Sequence, residues 1–312
     1  MANYITIDGG TTNTRISLVK DFKVLGRVKF PVGARAGIGN SSILRDTIRS
    51  GIRQLLQEYE IQASEICCIL AAGMITSEFG LYKLDHILVP AGIGELHGAM
   101  KQVVLEDISE IPFVFVPGVK VFSEDIRYTD MMRGEEAELV GLMKKGDGEC
   151  VYILPGSHSK LIQTDDQGRI TVFSTMLTGE MIGALANETI LKDAVDLNSQ
   201  LNKEFLLKGM EYAVERGINE ALFKVRVLKN LFAKTADEVY SFFIGVCLSN
   251  EIKAILDTHI SKVVIGGNSK LKEATGILLS EQEHMEVVIV SDEEVENSST
   301  LGMIKVYEYN RL

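Results

Sequence analysis

The sequence predicts an α/β protein with two domains, at residues 1–147 and 148–312. Three observations favour this fold class. The chain has 312 residues, which is enough for two domains of ordinary size. Short apolar runs of strand length alternate with segments whose apolar residues recur every three or four positions, as in helices. A hairpin-and-strand pattern at the start returns about half a chain later, which indicates an internal duplication.

The first predicted element is a β-hairpin at residues 4–18, followed by a third strand at 23–30. Its turn, Asp8-Gly9-Gly10-Thr11-Thr12, combines a carboxylate, two glycines and two hydroxyls. Backbone amides in such a turn can hold phosphate oxygens, which need glycine for close approach, and the carboxylate can hold hydrated Mg²⁺. The same residues also suit an ordinary tight hairpin, so the motif alone leaves both interpretations open.

The next segments predict a helix and a buried strand. Apolar residues recur at helical spacing over 44–59, which indicates an amphipathic helix. The continuous apolar run at 66–72 predicts a strand buried on both faces. It ends in Gly73-Met74-Ile75-Thr76-Ser77, at the carboxyl edge where open α/β sheets bind ligands.

A further strand is predicted at 111–116 and a helix over 134–145. The helix begins with Glu135 and Glu136 and ends with two lysines, a distribution that suits the helix dipole. A structural role for these glutamates therefore competes with a catalytic one.

The second half opens with the returning pattern. A strand at 151–154 leads into the turn Pro155-Gly156-Ser157-His158-Ser159-Lys160, and strands at 161–164 and 169–174 follow. The remaining expected elements are helices at 180–195, 203–216, 219–233 and 236–257, a strand at 263–265 running into Gly266-Gly267-Asn268, a strand at 285–290 and a final helix at 298–309.

Three glycine turns therefore follow apolar strands, at Gly9-Gly10, Gly156 and Gly266-Gly267. In a duplicated α/β chain this arrangement suggests one nucleotide held in a cleft between two domains. Neither a G-x-x-x-x-G-K-[ST] sequence nor a G-x-G-x-x-G fingerprint is present, since His97 stands where the third glycine of the 92–97 segment would fall. A P-loop site is therefore excluded, and a Rossmann dinucleotide site is not supported.

Charge and composition exclude other classes. The net charge is −11 and no basic stripe is present, so we expect no nucleic-acid partner. No apolar run approaches membrane-spanning length, so we expect no membrane partner and a cytoplasmic location. The four cysteines show no C-x-x-C spacing and are interpreted as buried thiols. The sequence leaves open whether the chain forms a homodimer.

The order of the three turns resembles the ATPase superfamily of actin, hexokinase and the heat-shock chaperones, which has a two-domain, ribonuclease H-like fold. Within it, the chain resembles the 2-dehydro-3-deoxygalactonokinase family over essentially its whole length. Many relatives carry Trp after the first aspartate, where this chain has Gly9. The motifs that carry the resemblance are Asp8-Gly9-Gly10-Thr11-Thr12-Asn13-Thr14-Arg15, Ala72-Gly73-Met74-Ile75, Met132-Arg133-Gly134-Glu135-Glu136, Leu154-Pro155-Gly156-Ser157-His158-Ser159-Lys160 and Thr178-Gly179-Glu180.

The resemblance implies ATP and Mg²⁺ as cofactors. Asp8 would hold the metal, chiefly through water. A metal suits the reaction because phosphoryl transfer relies on positioning and charge neutralisation. The β- and γ-phosphates would lie against Gly10, Thr11 and Thr12, with an opposing turn at Gly156, Ser157 and His158. Gly266, Gly267 and Asn268 would flank the adenosine. His158 is equally well interpreted as a structural residue.

The implied substrate is a small sugar acid, whose carboxylate needs local cations in an acidic protein. Arg15, Arg133 and Lys160 are the candidates, since each lies beside a glycine turn and a guanidinium can bind a carboxylate through two hydrogen bonds. For any one of them a surface salt bridge is the competing interpretation. The sugar hydroxyls are assigned to Asn13 and to the backbone at Gly73 and Met74.

Three acids are candidates for the general base that accepts the hydroxyl proton: Glu136, Glu135 and Asp130. We favour Glu136, because a Glu-Glu-Ala pattern at a helix start resembles the exopolyphosphatases of the superfamily. Adjacent helical residues point about 100° apart, so Glu135 and Glu136 cannot both face one substrate.

The expected reaction is transfer from ATP to 2-dehydro-3-deoxy-D-galactonate, giving the 6-phosphate in bacterial galactonate and galactose catabolism. The alternatives are a kinase for another 2-keto-3-deoxy sugar acid, such as the gluconate epimer, and a non-catalytic sugar-acid sensor on the same fold. Polyphosphate hydrolysis is a weaker alternative, because the sequence lacks the basic residues that a channel for a long polyanion needs.

Overall fold

The computed structural model describes residues 2–38, 41–267 and 269–311. It divides into two compact units. The first comprises Met1–Gly148, Asp165–Val172 and Asp292–Leu312, and the second comprises Glu149–Thr164 and Phe173–Ser291. This division differs from the predicted 1–147 and 148–312 because the C-terminal helix and residues 165–172, which include the start of one strand of the second sheet, belong to the first unit.

The first unit is built on a mixed six-stranded sheet of order β3-β2-β1-β4-β7-β6, with a small sheet of order β5-β8-β9. Its strands are β1 Asn3–Gly9, β2 Thr14–Lys20, β3 Lys23–Phe30, β4 Ile66–Gly73, β5 Ile87–Leu88, β6 Lys101–Leu105, β7 Ser109–Phe115, β8 Val119–Val121 and β9 Asp130–Met132, and its helices are α1 Ser41–Glu58, α2 Ile93–Ala99, α3 Glu135–Leu142 and α9 Asp292–Tyr307.

The central strands β1, β4 and β7 are parallel, so their carboxyl ends meet at one edge of the sheet. The register aligns Gly9 with Gly73 at that edge. Strand β4 is buried along nearly its whole length, as its apolar sequence predicts. Apolar residues of α1 pack on this sheet and contribute Leu44, Ile48, Ile52 and Leu55 to the core.

Helix α9 fixes the position of α3 through a close crossing. A Cβ on Gly302 would lie 1.8 Å from the Ala137 carbonyl oxygen, and one on Gly141 would lie 1.9 Å from that of Ser298, so only glycine allows this approach. The Lys305 ammonium donates hydrogen bonds to the carbonyls of Val140, Gly141 and Met143 at 3.0–3.2 Å and so caps the end of α3. Helix α9 begins at Asp292, six residues before the predicted start.

The second unit is built on a five-stranded sheet of order β12-β11-β10-β13-β14, with helices that pack around α7. Its elements are β10 Cys150–Leu154, β11 Ser159–Thr164, β12 Ile170–Met176, α4 Thr178–Glu188, α5 Lys203–Arg216, α6 Ile218–Asn230, α7 Ala236–Leu256, β13 Lys262–Ile265, α8 Leu271–Ser280 and β14 Glu286–Ile289.

The two larger sheets share one pattern. In each, the first strand pairs antiparallel with the second and parallel with a later strand, which itself pairs parallel with the next. The order β3-β2-β1-β4-β7 therefore corresponds to β12-β11-β10-β13-β14. This correspondence is the structural form of the predicted duplication.

Within the described residues, one helix, Ala236–Leu256, is long and apolar enough to cross a membrane. Because 78% of its apolar window is buried inside the protein, its composition reflects a core position.

Candidate active site

The first glycine turn, residues 9–13, joins β1 to β2. The Gly10 amide donates to the Asn13 carbonyl at 2.8 Å and closes the turn. The carbonyls of Gly10 and Thr11 accept hydrogen bonds of 3.0 Å from the amides of Ala34 and Arg35. Among the described residues, the amides of Thr11 and Thr12 have no acceptor, so they are available to an anion.

Asp8 lies at the end of β1, directly across from Arg15 on β2. Arg15 Nη1 donates to Asp8 Oδ2 at 3.0 Å, and the Asp8 side chain is 25% exposed. Burial raises the pKa of Asp8, the Arg15 guanidinium opposes this shift, and the charge of Glu135 raises the pKa further. Asp8 is therefore a carboxylate that gains stability from a nearby cation.

The donor set at Asp8 fits Mg²⁺. The described part of the chain contains no group of three or more His, Cys, Asp or Glu side chains that could hold a metal. Mg²⁺ bound with substrate phosphates commonly uses one or two carboxylates and keeps several waters, so a single aspartate beside open amides is a suitable set.

Three glycines meet at this edge of the first sheet. A Cβ on Gly73 would lie 2.5 Å from the Gly9 carbonyl oxygen, and a Cβ on Gly134 would lie 3.1 Å from Gly73 Cα. Gly73 and Gly134 also have φ angles of +87° and +116°, which side chains rarely allow. This stacking brings the ends of β1 and β4 to the start of α3, and with it the two candidate glutamates.

The side chain of Ile75 packs against Gly9 and restricts the size of the residue at position 9. A Cβ at position 9 would lie 2.7 Å from Ile75 Cβ, and Ile75 is buried. In this packing the side chain of Ile75 occupies space that a residue larger than glycine at position 9 would need.

Glu136, the favoured base, is completely buried in the first turn of α3. Both its carboxylate oxygens accept the Gly134 amide at 2.8 Å. Burial, with the charge of Glu135, raises its pKa to about 8, against the opposing effect of backbone amides and Arg133. The acid is therefore largely protonated at neutral pH.

The other two candidate acids are more accessible. Glu135 is half-buried, and its Oε2 accepts the Arg133 amide at 3.0 Å. Its charge raises the pKa of both Asp8 and Glu136, which indicates that it lies near both carboxyls. Asp130 lies on β9, and its Oδ1 accepts the Met131 amide at 2.6 Å.

Arg133 is held inside the first unit. Its guanidinium donates to Thr76 O and Oγ1, to Leu84 O and to His86 Nδ1 at 2.5–3.2 Å. Burial and the charge of Arg133 lower the pKa of His86 to about 4, so His86 is neutral and can accept this bond. Through these contacts, Arg133 connects the 76–86 loop to the start of α3.

The second glycine turn, residues 155–158, lies in the second unit before β11. The Gly179 amide donates to Gly156 O at 3.2 Å, and the Glu180 amide donates to Ser157 O at 3.3 Å. Among the described residues, the Ser157 and His158 amides have no acceptor and are available to an anion. His158 Nε2 lies 3.0 Å from Glu180 Oε1, which favours its structural interpretation.

The third glycine turn, Gly266-Gly267, packs on the second. The Gly266 amide donates to Ile153 O at 2.8 Å, and a Cβ on Gly267 would lie 2.6 Å from Pro155 O. Asn268 lies outside the described residues. Lys160 is 4% exposed, so its side chain is buried in the second unit, which makes direct contact with a sugar acid less favourable than for an exposed cation.

Two residues that the sequence did not single out adjoin these turns. Arg35 is exposed and donates its amide to the first glycine turn. Glu251 of α7 is 4% exposed and accepts a hydrogen bond from Thr178 Oγ1. Arg35 stands between Gly33 and Gly37, and these glycines were the available sequence signal. Glu251 had a weaker signal, a carboxylate on a largely apolar helix.

Comparison with known proteins identifies the family. The 2-keto-3-deoxy-galactonokinase family model matches residues 8–301. The chain belongs to this family. It is 27% identical over 264 residues to the 2-dehydro-3-deoxygalactonokinase of Escherichia coli strain K12, which covers 82% of this chain and 81% of that protein. The family assignment confirms the predicted kinase class.

Solved structures confirm the fold. A Sinorhizobium meliloti protein, provisionally described as a 2-dehydro-3-deoxygalactonokinase, has a TM-score of 0.78 at 23% identity and covers 98% of this chain and 99% of its own. The activator of the 2-hydroxyisocaproyl-CoA dehydratase from Clostridium difficile has a TM-score of 0.51 at 10% identity and covers 99% and 97%. These neighbours have the actin-like ATPase fold that the sequence predicts.

Proposed function

We propose that the protein transfers the γ-phosphoryl group of ATP to O6 of 2-dehydro-3-deoxy-D-galactonate in the cytoplasm. The observation that carries this proposal is the Asp8 glycine turn, with its open amides, in a chain that the family model matches over 8–301. Phosphoryl transfer needs positioned donors and charge neutralisation more than covalent chemistry by the protein, and such a turn provides these.

The open amides of the first glycine turn are assigned to the phosphates of the nucleotide, and the Asp8 carboxylate is assigned to its metal ion. The amides of Thr11 and Thr12 are assigned to the β- and γ-phosphates, with Gly10 allowing their close approach, and Asp8 would hold Mg²⁺, which when bound neutralises phosphate charge. The second glycine turn offers phosphate oxygens the same amide chemistry through Ser157 and His158. The third glycine turn packs on the second and is assigned to the adenosine.

The sugar-acid carboxylate is assigned to Arg15 and Arg35. Arg15 is 45% exposed and Arg35 is exposed, and both lie at the first glycine turn. The engagement of the Arg133 guanidinium and the burial of Lys160 support this choice. Asn13 is exposed in the same turn and, with the backbone at Gly73 and Met74, is assigned to the sugar hydroxyls.

Glu135 is the proposed proton acceptor. The general base must touch the reacting hydroxyl, and Glu135 is partly exposed while Glu136 is completely buried. Glu136, bonded to the Gly134 amide, would hold the start of α3 and so orient Glu135. Asp130 is a third candidate, and the activities of Glu135→Gln and Glu136→Gln distinguish it from the other two acids.

A substrate panel tests the proposal. ADP formation is measured with Mg·ATP and 2-keto-3-deoxy sugar acids, including the galactonate compound and its gluconate epimer. We expect the highest kcat/KM for the galactonate compound. Turnover of no sugar acid above the ATPase background would overturn the kinase proposal, and saturable sugar-acid binding without ADP formation would favour the sensor alternative.

A further inference from the structure

Glu251 is a buried acid that the proposed chemistry does not use. It lies on α7 in the second unit and is 4% exposed. Carboxylates are rarely buried to this extent unless they are paired, because burial costs free energy that hydrogen bonds must offset. The burial of the Glu251 carboxylate therefore needs a structural or functional explanation.

Two hydroxyl groups meet the Glu251 carboxylate. Thr178 Oγ1 donates to Oε1, and Ser159 lines the same small cavity as Glu251, near enough for its hydroxyl to lower the pKa of the carboxyl. Thr178 and Ser159 are themselves 3% and 2% exposed. Oε2 has no hydrogen-bond partner among the described residues. Burial raises the pKa of Glu251, and the Thr178 and Ser159 hydroxyls oppose that shift.

These two partners border the second glycine turn. Ser159 directly follows it, and Ser159 Oγ lies 3.4 Å from the Gly156 amide nitrogen that donates to it. Thr178 precedes Gly179, whose amide donates to Gly156 O at 3.2 Å. The Gly156 amide is thus bonded to the Ser159 hydroxyl, and the Gly156 carbonyl is bonded to Gly179, which directly follows Thr178. Glu251 therefore adjoins both contacts of the Gly156 backbone.

The space beside Glu251 is too small for this side chain to contact a bound ligand directly. A cavity of about 10 Å³ lies there, which is room for roughly one water molecule. It is lined by Glu251 and by Ile153, Ser159, Lys160, Leu161, Met176 and Ile255. Neither a nucleotide nor a sugar acid fits this cavity, so an effect of Glu251 on either must act through the residues it contacts.

We propose that Glu251 is a positioning residue that holds Ser159 and Thr178 and so sets the direction of the Ser157 and His158 amides toward a phosphate group of the nucleotide. The inference rests on the proposed function for the identity of that nucleotide. It predicts that loss of the Glu251 contacts weakens nucleotide binding while sugar-acid binding is retained.

The test compares Glu251→Ala, Glu251→Gln and Thr178→Val. Glu251→Ala should weaken ADP binding, measured by calorimetry without sugar acid, and raise the KM for ATP, each by about 10-fold or more, with the KM for sugar acid within about 2-fold. Glu251→Gln keeps an oxygen acceptor and should stay within about 3-fold of the parent protein. Thr178→Val, which conserves volume, should raise both nucleotide constants by about 3- to 10-fold.

Ser249→Ala is the matched control. Ser249 lies two residues away on α7, is 3% exposed and donates only within its helix, to Val246 O at 2.8 Å. It should leave both nucleotide constants unchanged. Because ADP affinity is measured without sugar acid, failure of the substrate assignment would leave this test intact.

Two results would overturn the role. One is a lowered melting temperature for Glu251→Ala and Thr178→Val with ADP affinity unchanged in both folded variants, which would leave Glu251 a purely structural residue. The other is an equal rise in the KM for ATP and for sugar acid, which would indicate a general disturbance.

Discussion

Arg15 Nη1 lies 3.0 Å from Asp8 Oδ2, directly across the β1–β2 pair at the mouth of the first glycine turn. The pair places a cation beside a partly buried carboxylate whose pKa burial raises. The guanidinium opposes the effect of burial on the pKa of Asp8 and so favours the ionised form that the proposed metal role needs, and its 45% exposure leaves it accessible to the proposed sugar-acid carboxylate.

Replacement of Arg15 should move the pH dependence of activity. Arg15 lowers the pKa of Asp8, so Arg15→Gln should raise that pKa further and shift the acid limb of the kcat/KM profile to higher pH. The KM for sugar acid should rise as well. Arg53→Gln on α1, at an exposed arginine, is the control. An acid limb that stays in place in Arg15→Gln would contradict the assigned electrostatic role.

Neutralisation of Asp8 should separate catalysis from folding. Asp8→Asn removes the carboxylate that we propose for Mg²⁺ and should lower kcat by roughly 10²- to 10⁴-fold, since metal charge stabilisation contributes several kcal/mol. Burial disfavours the charged form, so the melting temperature should stay the same or rise. Activity and thermal unfolding are measured on the same sample. Near-parent activity at saturating Mg²⁺ would remove Asp8 from the metal site.

The two glutamates of α3 should differ in their effects. Glu135→Gln should lower kcat by roughly 10²- to 10⁴-fold with little change in nucleotide affinity, as expected for a general base. Glu136→Gln keeps the buried shape and should lower kcat less. If Glu136→Gln is the more damaging variant, the base assignment returns to Glu136. If neither lowers kcat, it moves to Asp130.

Glu136 should also shape the pH dependence of stability. Its folded pKa of about 8 exceeds the ordinary value of 4.5, so the folded state binds the extra proton between these pH values. Stability from this group is therefore full below about pH 4.5 and is lost as pH rises through 8, by an amount on the order of a few kcal/mol. Glu136→Gln should flatten the fall in unfolding free energy between about pH 5 and 8, measured by urea titration. An unchanged slope would show that another group causes it.

Substitution of Gly9 should destabilise the first unit. A Cβ at position 9 would lie 2.7 Å from Ile75 Cβ, so Gly9→Ala forces Ile75 to move and should cost about 1–3 kcal/mol in unfolding free energy. Gly98→Ala in α2 is the control, because no atom beyond its chain neighbours and its own helix backbone lies within 4 Å of its Cβ position, and alanine should be neutral or stabilising there. Equal stability of the two variants would show that the 9–75 contact is not tight.

Local sequence patterns predicted most of the fold, and long-range packing determined the rest. The hairpins beginning at β1 and β10 were predictable because glycine turns and alternating apolar residues encode them nearby. The small sheet β5-β8-β9 was not, because its strands have only two or three residues. The start of α9 was missed because Asp292, Glu293 and Glu294 form its first turn, ahead of the apolar part of the helix.

The candidate site was predictable at its turns and less so at its charged side chains. Asp8 and its neighbouring amides follow from one local motif. Arg133 and Lys160 also lie beside glycine turns in the sequence, yet Arg133 bonds to the 76–86 loop and Lys160 is buried. The direction of a long side chain depends on distant residues, which a single sequence does not reveal.

Product analysis tests the central claim most directly. The protein is incubated with Mg·ATP and 2-dehydro-3-deoxy-D-galactonate, and the products are observed by proton-coupled phosphorus NMR. The account predicts ADP and one new phosphate ester whose resonance is split by two protons of the C6 methylene group, formed at least about 10²-fold more slowly by Asp8→Asn. Release of inorganic phosphate without any sugar-acid ester, or a phosphate on another carbon, would contradict it.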